Sequence, residues 1–268
     1  TIIIKEDMKA DDIKITPKWS KSKEDIWDSV FEGLEETPKV IEMAPRKRSL
    51  WFYAAASIAA IAIILPSIAF FYTKNEVAER GTHLAVVLPD GSKVDLNAES
   101  KIGYKPLWWF ISRDVELKGE AYFEVEKGST FDVRSGQYTV SVLGTSFNVF
   151  SRAENFKVTC LTGKVNVSDK SESVILTPNM QALLSNGKLT TNDVEDAKES
   201  INWKHGKFVF VSVPLQDVIQ EIERQYDIEV LPNSNLNYSY SGNFTKAKDP
   251  NDVLKIVGKP FGIEFKIK

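Results

Sequence analysis

Residues Ser49-Leu-Trp-Phe-Tyr-Ala-Ala-Ala-Ser-Ile-Ala-Ala-Ile-Ala-Ile-Ile-Leu-Pro-Ser-Ile-Ala-Phe-Phe-Tyr-Thr73 form a run without one charged side chain. A bilayer core of about 30 Å takes roughly 20 apolar residues as a helix, and this run supplies them. Trp51, Phe52 and Tyr53 stand at one end, and Phe70, Phe71 and Tyr72 at the other. Aromatic side chains belong at both headgroup levels. Arg46, Lys47 and Arg48 precede the run, whereas Lys74 alone follows closely, with Glu76 and Glu79 behind it. That basic excess places the N-terminal side in the cytoplasm. A signal peptide has a shorter apolar core, lies nearer the N-terminus and ends in small residues. Pro66 inside the run is tolerated in a membrane helix. The expectation is one transmembrane helix over residues 49–73, with a short arm inside and a large portion outside.

The rest of the chain is ordinary folded material: 43% apolar, 26% charged, net charge −3. Nothing in it attracts nucleic acid in bulk. A single cysteine, Cys160, excludes an internal disulfide, and its alternating setting reads as a buried, inert thiol. His83 and His205 lie far apart without ligand-like neighbours, so no metal site is legible. No Gly-rich phosphate loop and no nucleophile–base pattern of the usual hydrolases is present, and no cofactor is implied.

The inside arm, residues 1–48, starts with Thr rather than Met and reads as a fragment or a processed product. Ser22 followed by Asp25 resembles a capping box, and Ile26, Val30 and Leu34 recur at helical spacing with Trp27 and Phe31 beside them. One amphipathic helix is expected over about 22–35. Alone it has nothing to pack against. Its acidic face (Glu24, Asp25, Asp28, Glu32) argues against an anionic membrane surface and for a protein partner.

Beyond residue 80 the period changes to two. Leu84-Ala-Val-Val-Leu88 meets Pro89-Asp-Gly-Ser92, a turn in which Pro presets φ and Gly takes the positive value, and Lys93-Val-Asp-Leu-Asn97 returns. Short apolar runs then recur to about residue 190, punctuated by glycines, with no helical pattern. Residues 80–190 therefore read as an antiparallel β-sandwich or roll. On its alternating strands Glu116, Glu120, Glu124 and Glu126 read as solvated. Residues 193–200 read as a polar linker. Residues 201–268 mix strands with two helices entered at Pro214 and Pro250, in the order β-α-β-β-α-β: a small α+β domain whose sheet edge suits partner binding. The fold class is thus mainly β.

Several stretches in combination resemble the FecR family of transmembrane anti-sigma regulators. They are Leu88-Pro-Asp-Gly-Ser-Lys-Val-Asp-Leu-Asn-Ala-Glu-Ser100, Val115-Glu-Leu-Lys-Gly-Glu-Ala-Tyr-Phe-Glu-Val125, Val142-Leu-Gly-Thr-Ser-Phe-Asn-Val149, Leu161-Thr-Gly-Lys-Val165 and Leu176-Thr-Pro-Asn-Met-Gln181. Trp203-Lys-His-Gly-Lys-Phe-Val-Phe210 and Ile222-Glu-Arg-Gln-Tyr226 are similar to the C-terminal module of the family's Bacteroidetes-type members, itself like the short N-terminal domains of secretins and TonB-dependent transporters. The resemblance implies a bacterial inner-membrane protein with a cytoplasmic N-terminus and a periplasmic C-terminus. Its arm would bind an extracytoplasmic-function sigma factor through Trp19, Trp27, Phe31 and Leu34. Its periplasmic portion would sense the signalling domain of a TonB-dependent outer-membrane transporter and so regulate transcription. The arm is short for the family's helical sigma-binding domain.

Gly144-Thr145 sits where some members of the family cleave themselves, by attack of the Thr hydroxyl on the preceding carbonyl. An unassisted Thr is a weak nucleophile, and the plain alternative is a Gly marking a bulge in a strand. Lys105-Pro-Leu-Trp-Trp-Phe-Ile111 replaces a polar loop of the family. Trp108, Trp109 and Phe110 either plug the core or form an exposed patch toward the membrane or a partner. The competing reading of the whole chain is a membrane-anchored periplasmic module that binds glycan or cell wall through Trp108 and Trp109. An enzyme would need a pocket with paired acids or a nucleophile and base, which the sequence does not offer.

Overall fold

The computed structural model describes residues 20–33, 50–185, 187–231 and 236–268. The chain divides into two compact units, 1–56 and 57–268, and each is described by itself. The first holds helix α1 (Lys23–Phe31), opened by the expected capping box: the Asp25 N–H donates to Ser22 Oγ and the Ser22 N–H to Asp25 Oδ2. Helix α2 (Leu50–Phe71) is the apolar run, and its segment Trp51–Phe71 is long and apolar enough to cross a membrane, with none of it buried in protein. Twenty-two residues make about 33 Å of helix at 1.5 Å per residue. Pro66 denies the Ala62 carbonyl its usual donor, and one residue on, Ser67 Oγ donates to the Ile63 carbonyl at 2.7 Å.

Among the described residues thirteen strands follow without an intervening helix. They are β1 (Lys74–Ala78), β2 (Leu84–Val87), β3 (Lys93–Leu96), β4 (Ser100–Tyr104), β5 (Arg113–Glu124), β6 (Phe131–Ser135), β7 (Tyr138–Val142), β8 (Ser146–Arg152), β9 (Asn155–Thr162), β10 (Val165–Ser168), β11 (Ser173–Leu176), β12 (Met180–Ser185) and β13 (Lys188–Asp193). Strand β5 is the spine. Its first half pairs with β4 and, in parallel, with β6; its second half pairs with β3 and β8. One layer is β1-β4-β5-β6-β7-β10-β11 and the other β2-β3-β5-β8-β9-β12-β13. The changeover falls at Gly119, where φ is 101° and an added Cβ would lie 2.5 Å from Ser100 Oγ, so only glycine fits.

Alternation fills the space between the layers. Phe123 stacks on Phe147 at 5.0 Å, Phe131 meets Phe123 edge-on, and Val133, Val140, Val149, Val158 and Val165 are fully buried around them. Cys160 belongs to this core, and burial pushes its thiol up to about 11. The Pro89-Asp90-Gly91 turn forms as expected, and Arg113 ties it down. Its Nη1 donates to Asp90 Oδ2 at 2.7 Å and to the Glu126 carbonyl, and its Nη2 donates to the Ser129 carbonyl.

The stretch read as a linker is folded. A 3-10 helix, Ala197–His205, buries Ala197 and Trp203 and is capped by Asp196. Strands β14 (Lys207–Pro214) and β15 (Ser239–Thr245) pair with each other, and helices α3 (Leu215–Tyr226) and α4 (Pro250–Gly258) pack against them. The expected strands at 228–231 and 263–267 shrink to a single antiparallel bridge, Val230 to Ile267, flanked by two backbone bonds. Leu215, Val218, Ile219 and Ile222 of α3 form the core of this module with Val253, Leu254 and Val257 of α4.

Candidate functional site

Helix α1 presents its apolar residues to solvent. Trp27 and Phe31, one turn apart, stack at 4.5 Å, and with Val30 each is between 44% and 58% exposed. No residue of α1 is buried. The other two residues expected at this site, Trp19 and Leu34, lie outside the described residues.

The part of the chain after α2 concentrates its chemistry where the β layers meet the C-terminal module. Glu120, read from the sequence as solvated, is 7% exposed. It lies on the side of β5 that alternation turns away from the sandwich core, but that side is covered. Its neighbour Tyr122 belongs to the apolar cluster of the module, beside Trp203, and the ammonium of Lys204 sits 4.3 Å above the Tyr122 ring while bonding Asp95 at 2.6 Å. The Glu120 carboxylate accepts from Asn97 Nδ2 at 2.7 Å and Asn148 Nδ2 at 2.9 Å. Gln225 of α3 continues the chain, donating from Nε2 to Asn97 Oδ1 at 2.6 Å and to Glu221 Oε1 at 2.9 Å. Glu221 in turn accepts two bonds from Arg224, and His83 Nε2 lies 3.1 Å from Gln225 Oε1. Arg152 clamps the rim through the Ala98 and Glu99 carbonyls. Arg80 Nη2 donates to the Ile228 carbonyl and the Gly81 N–H to the Arg224 carbonyl, so the β1–β2 turn grips the module too.

The electrostatics of this relay follow from burial. Desolvation raises the Glu120 pKa, the Glu221 charge raises it further, and the Asn148 and Asn97 bonds oppose both. Burial lowers His83 and Arg152. Asn148 Oδ1 is buried without a partner, so a flip of that amide would offer an acceptor to a protonated Glu120.

Beside the relay runs a groove of about 410 Å³ between the β8–β9 hairpin and the module. Phe150, Arg152 and Lys157 form one wall; Phe208, Phe210 and Val213 of β14 form the other, with Glu221 and Arg224 behind. Among the described residues β14 pairs only with β15, which leaves its second edge open. Val209 and Val211 stand exposed on it, and a bulge with Ser212 at φ 52° bends the strand.

Gly144 and Thr145 lie between β7 and β8. Gly144 has φ 154°, and an added Cβ would strike the Lys127 backbone at 2.8 Å. Thr145 is 5% exposed and its Oγ1 is buried without a hydrogen-bond partner. The aromatic loop divides between its two alternatives. Trp109 enters the core edge-on to Tyr104 and Phe131, whereas Phe110 is 85% exposed and Trp108 is half-buried against Phe70. Among the described residues no cluster of His, Cys, Asp and Glu can hold a metal.

The chain is therefore a mainly β protein with, among the described residues, one helix long and apolar enough to cross a membrane. Two family models match it: FecR protein over residues 75–166, and the FecR C-terminal region over 207–268. The chain belongs to the FecR family. Crystal structures at 1.65 Å and 2.50 Å of a candidate anti-sigma factor from Parabacteroides distasonis ATCC 8503 are 32% identical to it. They cover 73% and 74% of this chain and 95% of the relative, with TM-scores of 0.66 and 0.67. No curated protein matches. Family and neighbours support an anti-sigma role, regulatory and not enzymatic, for a membrane-anchored protein with a sigma factor as partner.

Proposed function

We propose that the arm before α2 is cytoplasmic and holds an extracytoplasmic-function sigma factor, while the β layers and C-terminal module are periplasmic and sense the signalling domain of a TonB-dependent outer-membrane transporter. The exposed Trp27–Phe31 stack carries the inside half: a short acidic helix with an uncovered apolar face needs a protein groove. The open edge of β14, floored by the groove beside Glu120, supports the outside half, because an unpaired strand edge accepts a partner's strand. Basic residues before α2 support the orientation. The glycan-binding reading needs Trp faces open to sugar, and here Trp109 is in the core and Trp108 lies on Phe70.

Affinity purification of the full chain from detergent-solubilised membranes of its host, with mass spectrometry of the co-purifying proteins, tests the reading. A sigma factor and a transporter together are expected, with Trp27→Ala/Phe31→Ala removing the sigma factor alone. Recovery of neither with intact protein sinks it.

A second process rests on Thr145. Its hydroxyl is buried without a hydrogen-bond partner on the residue that follows the Gly144 carbonyl, and Gly144 carries no side chain of its own, although Lys127 fills the space one would take. Attack of Oγ1 forms an ester, the Gly144–Thr145 C–N bond breaks as the Thr145 nitrogen takes the proton, and water then cuts the ester. The pieces would stay together, because β8 remains bonded to β5 and β9. Two bands on a denaturing gel, replaced by one in Thr145→Ala, are expected. Identical patterns for both proteins exclude self-cleavage.

A further inference from the structure

We propose that the loop 105–112 is a second membrane contact, seating the β layers on the lipid headgroup region of the leaflet where α2 ends. The inference rests on reading α2 as a membrane span.

Helix α2 ends at Phe71 and β1 begins at Lys74. Three Cα steps from Phe71 to Lys74 reach at most about 11 Å, so the edge of the β layers nearest α2 lies at or beside the headgroup zone. That edge is β1 paired with β4, and β4 runs directly into the loop. The loop then folds back onto the helix end. The Trp108 ring meets Phe70 edge-on at 5.4 Å, and the Lys105 ammonium stands 3.8 Å above the same ring. Loop and helix end are therefore at one level, the level where aromatic belts sit.

The side chains presented there suit lipid. Leu107, Phe110 and Ile111 are 49%, 85% and 59% exposed, and Phe71 at the helix end is 78% exposed. Lys105 supplies a cation at phosphate depth, whereas Lys74 is paired with Glu76 at 2.7 Å. The exposure is built in. Trp109 is anchored in the core, and backbone bonds from the Trp108 N–H to the Lys105 carbonyl and from the Ile111 and Ser112 N–H groups to the Trp108 carbonyl hold the turn. An ordered loop that buries its middle Trp and leaves the flanking apolar residues outside is shaped for an apolar surround. Continuity with the span makes that surround lipid and not a protein.

The test uses the full chain in vesicles, with Cys160→Ala removing the native thiol and an environment-sensitive fluorophore on single cysteines. Phe110→Cys probes the loop, Ile61→Cys the middle of α2, and Val211→Cys an exposed site on β14. The position 110 probe is expected to shift to the blue and to lose most of its intensity with a lipid bearing a headgroup nitroxide. The position 211 probe should keep its intensity, and the position 61 probe should be quenched by a nitroxide at the acyl-chain end. If position 61 is quenched and position 110 behaves like position 211, the loop proposal falls while the span stands. A blue shift at position 110 without quenching means that protein, a partner or a second copy, covers the loop, which also overturns it. No quenching at position 61 removes the span and the proposal with it.

Discussion

Glu120 holds a buried carboxylate on a face of β5 that otherwise carries mostly charged side chains. Alternation along β5 puts Asp114, Glu116, Lys118, Glu120, Tyr122 and Glu124 on one side, which reads as a wet face. Period two tells which side a residue takes, not what covers that side. Here Trp203 and α3 cover it around Glu120 and Tyr122, while Glu116 and Glu124 stay exposed. No local pattern announces Gln225 as the partner of Asn97, which itself bonds Glu120, because it is far away in sequence. The cost has a sign. The Glu120 pKa is raised, first by burial and then by Glu221, so the folded protein binds its proton more tightly than the unfolded chain. Its contribution to stability is complete below 4.5 and is lost as pH rises through the elevated folded-state value. His83, whose pKa burial lowers, works in the opposite direction: its contribution is complete above 6.5 and is lost as pH falls below that value. A comparison that isolates Glu120 is therefore required. Glu120→Gln stays neutral at every pH. Melting of both proteins over a series from pH 4.5 to neutral should show the variant gaining steadily on wild type as pH rises. A difference that does not move with pH would show that the carboxylate is already ionised at no cost.

At the scale of elements, strong periodicity was legible and weak anchoring was not. The stripe of α3 and the alternation of β6, β7 and β10 follow the apolar side chains directly. The 3-10 helix was hidden because two buried residues, Ala197 and Trp203, fix it among polar neighbours, too few to set a period. The Ile228–Leu231 stretch looks like a strand by composition, yet one bridge is all that its neighbours allow. Strand β14 was legible as a strand, but its open edge is a property of topology. That edge gives a prediction. Val211 is 76% exposed, so Val211→Lys should leave the melting temperature unchanged. A lysine on an edge strand opposes strand addition, so affinity for the signalling domain of the proposed transporter partner should fall by about tenfold, roughly 1.4 kcal/mol, in a titration with that domain. Unchanged affinity would move the docking site off β14.

For the whole molecule, the question is how an event on the β layers or the C-terminal module reaches α2. The β layers and the C-terminal module share a buried interface that is largely polar, running from Glu120 through Asn97 and Gln225 to Glu221, with apolar contacts around Tyr122. Such an interface has geometric demands, and a partner in the adjoining groove can shift it as a body. The shift would pass to β5 and through β4 to β1, which is paired along its full length. Between β1 and α2 stand only Tyr72 and Thr73. A connection this short transmits rotation and tilt, whereas a flexible linker absorbs them. A run of Gly and Ser inserted between Thr73 and Lys74 should therefore leave both halves folded and both partners bound, yet abolish the response of a sigma-dependent reporter to the outer signal. Loss of either partner in co-purification would make the variant uninformative about transmission, so that assay comes first. If both partners remain and the reporter still responds, the signal does not travel as rigid motion through the helix end, and cutting of the chain becomes the mechanism to pursue.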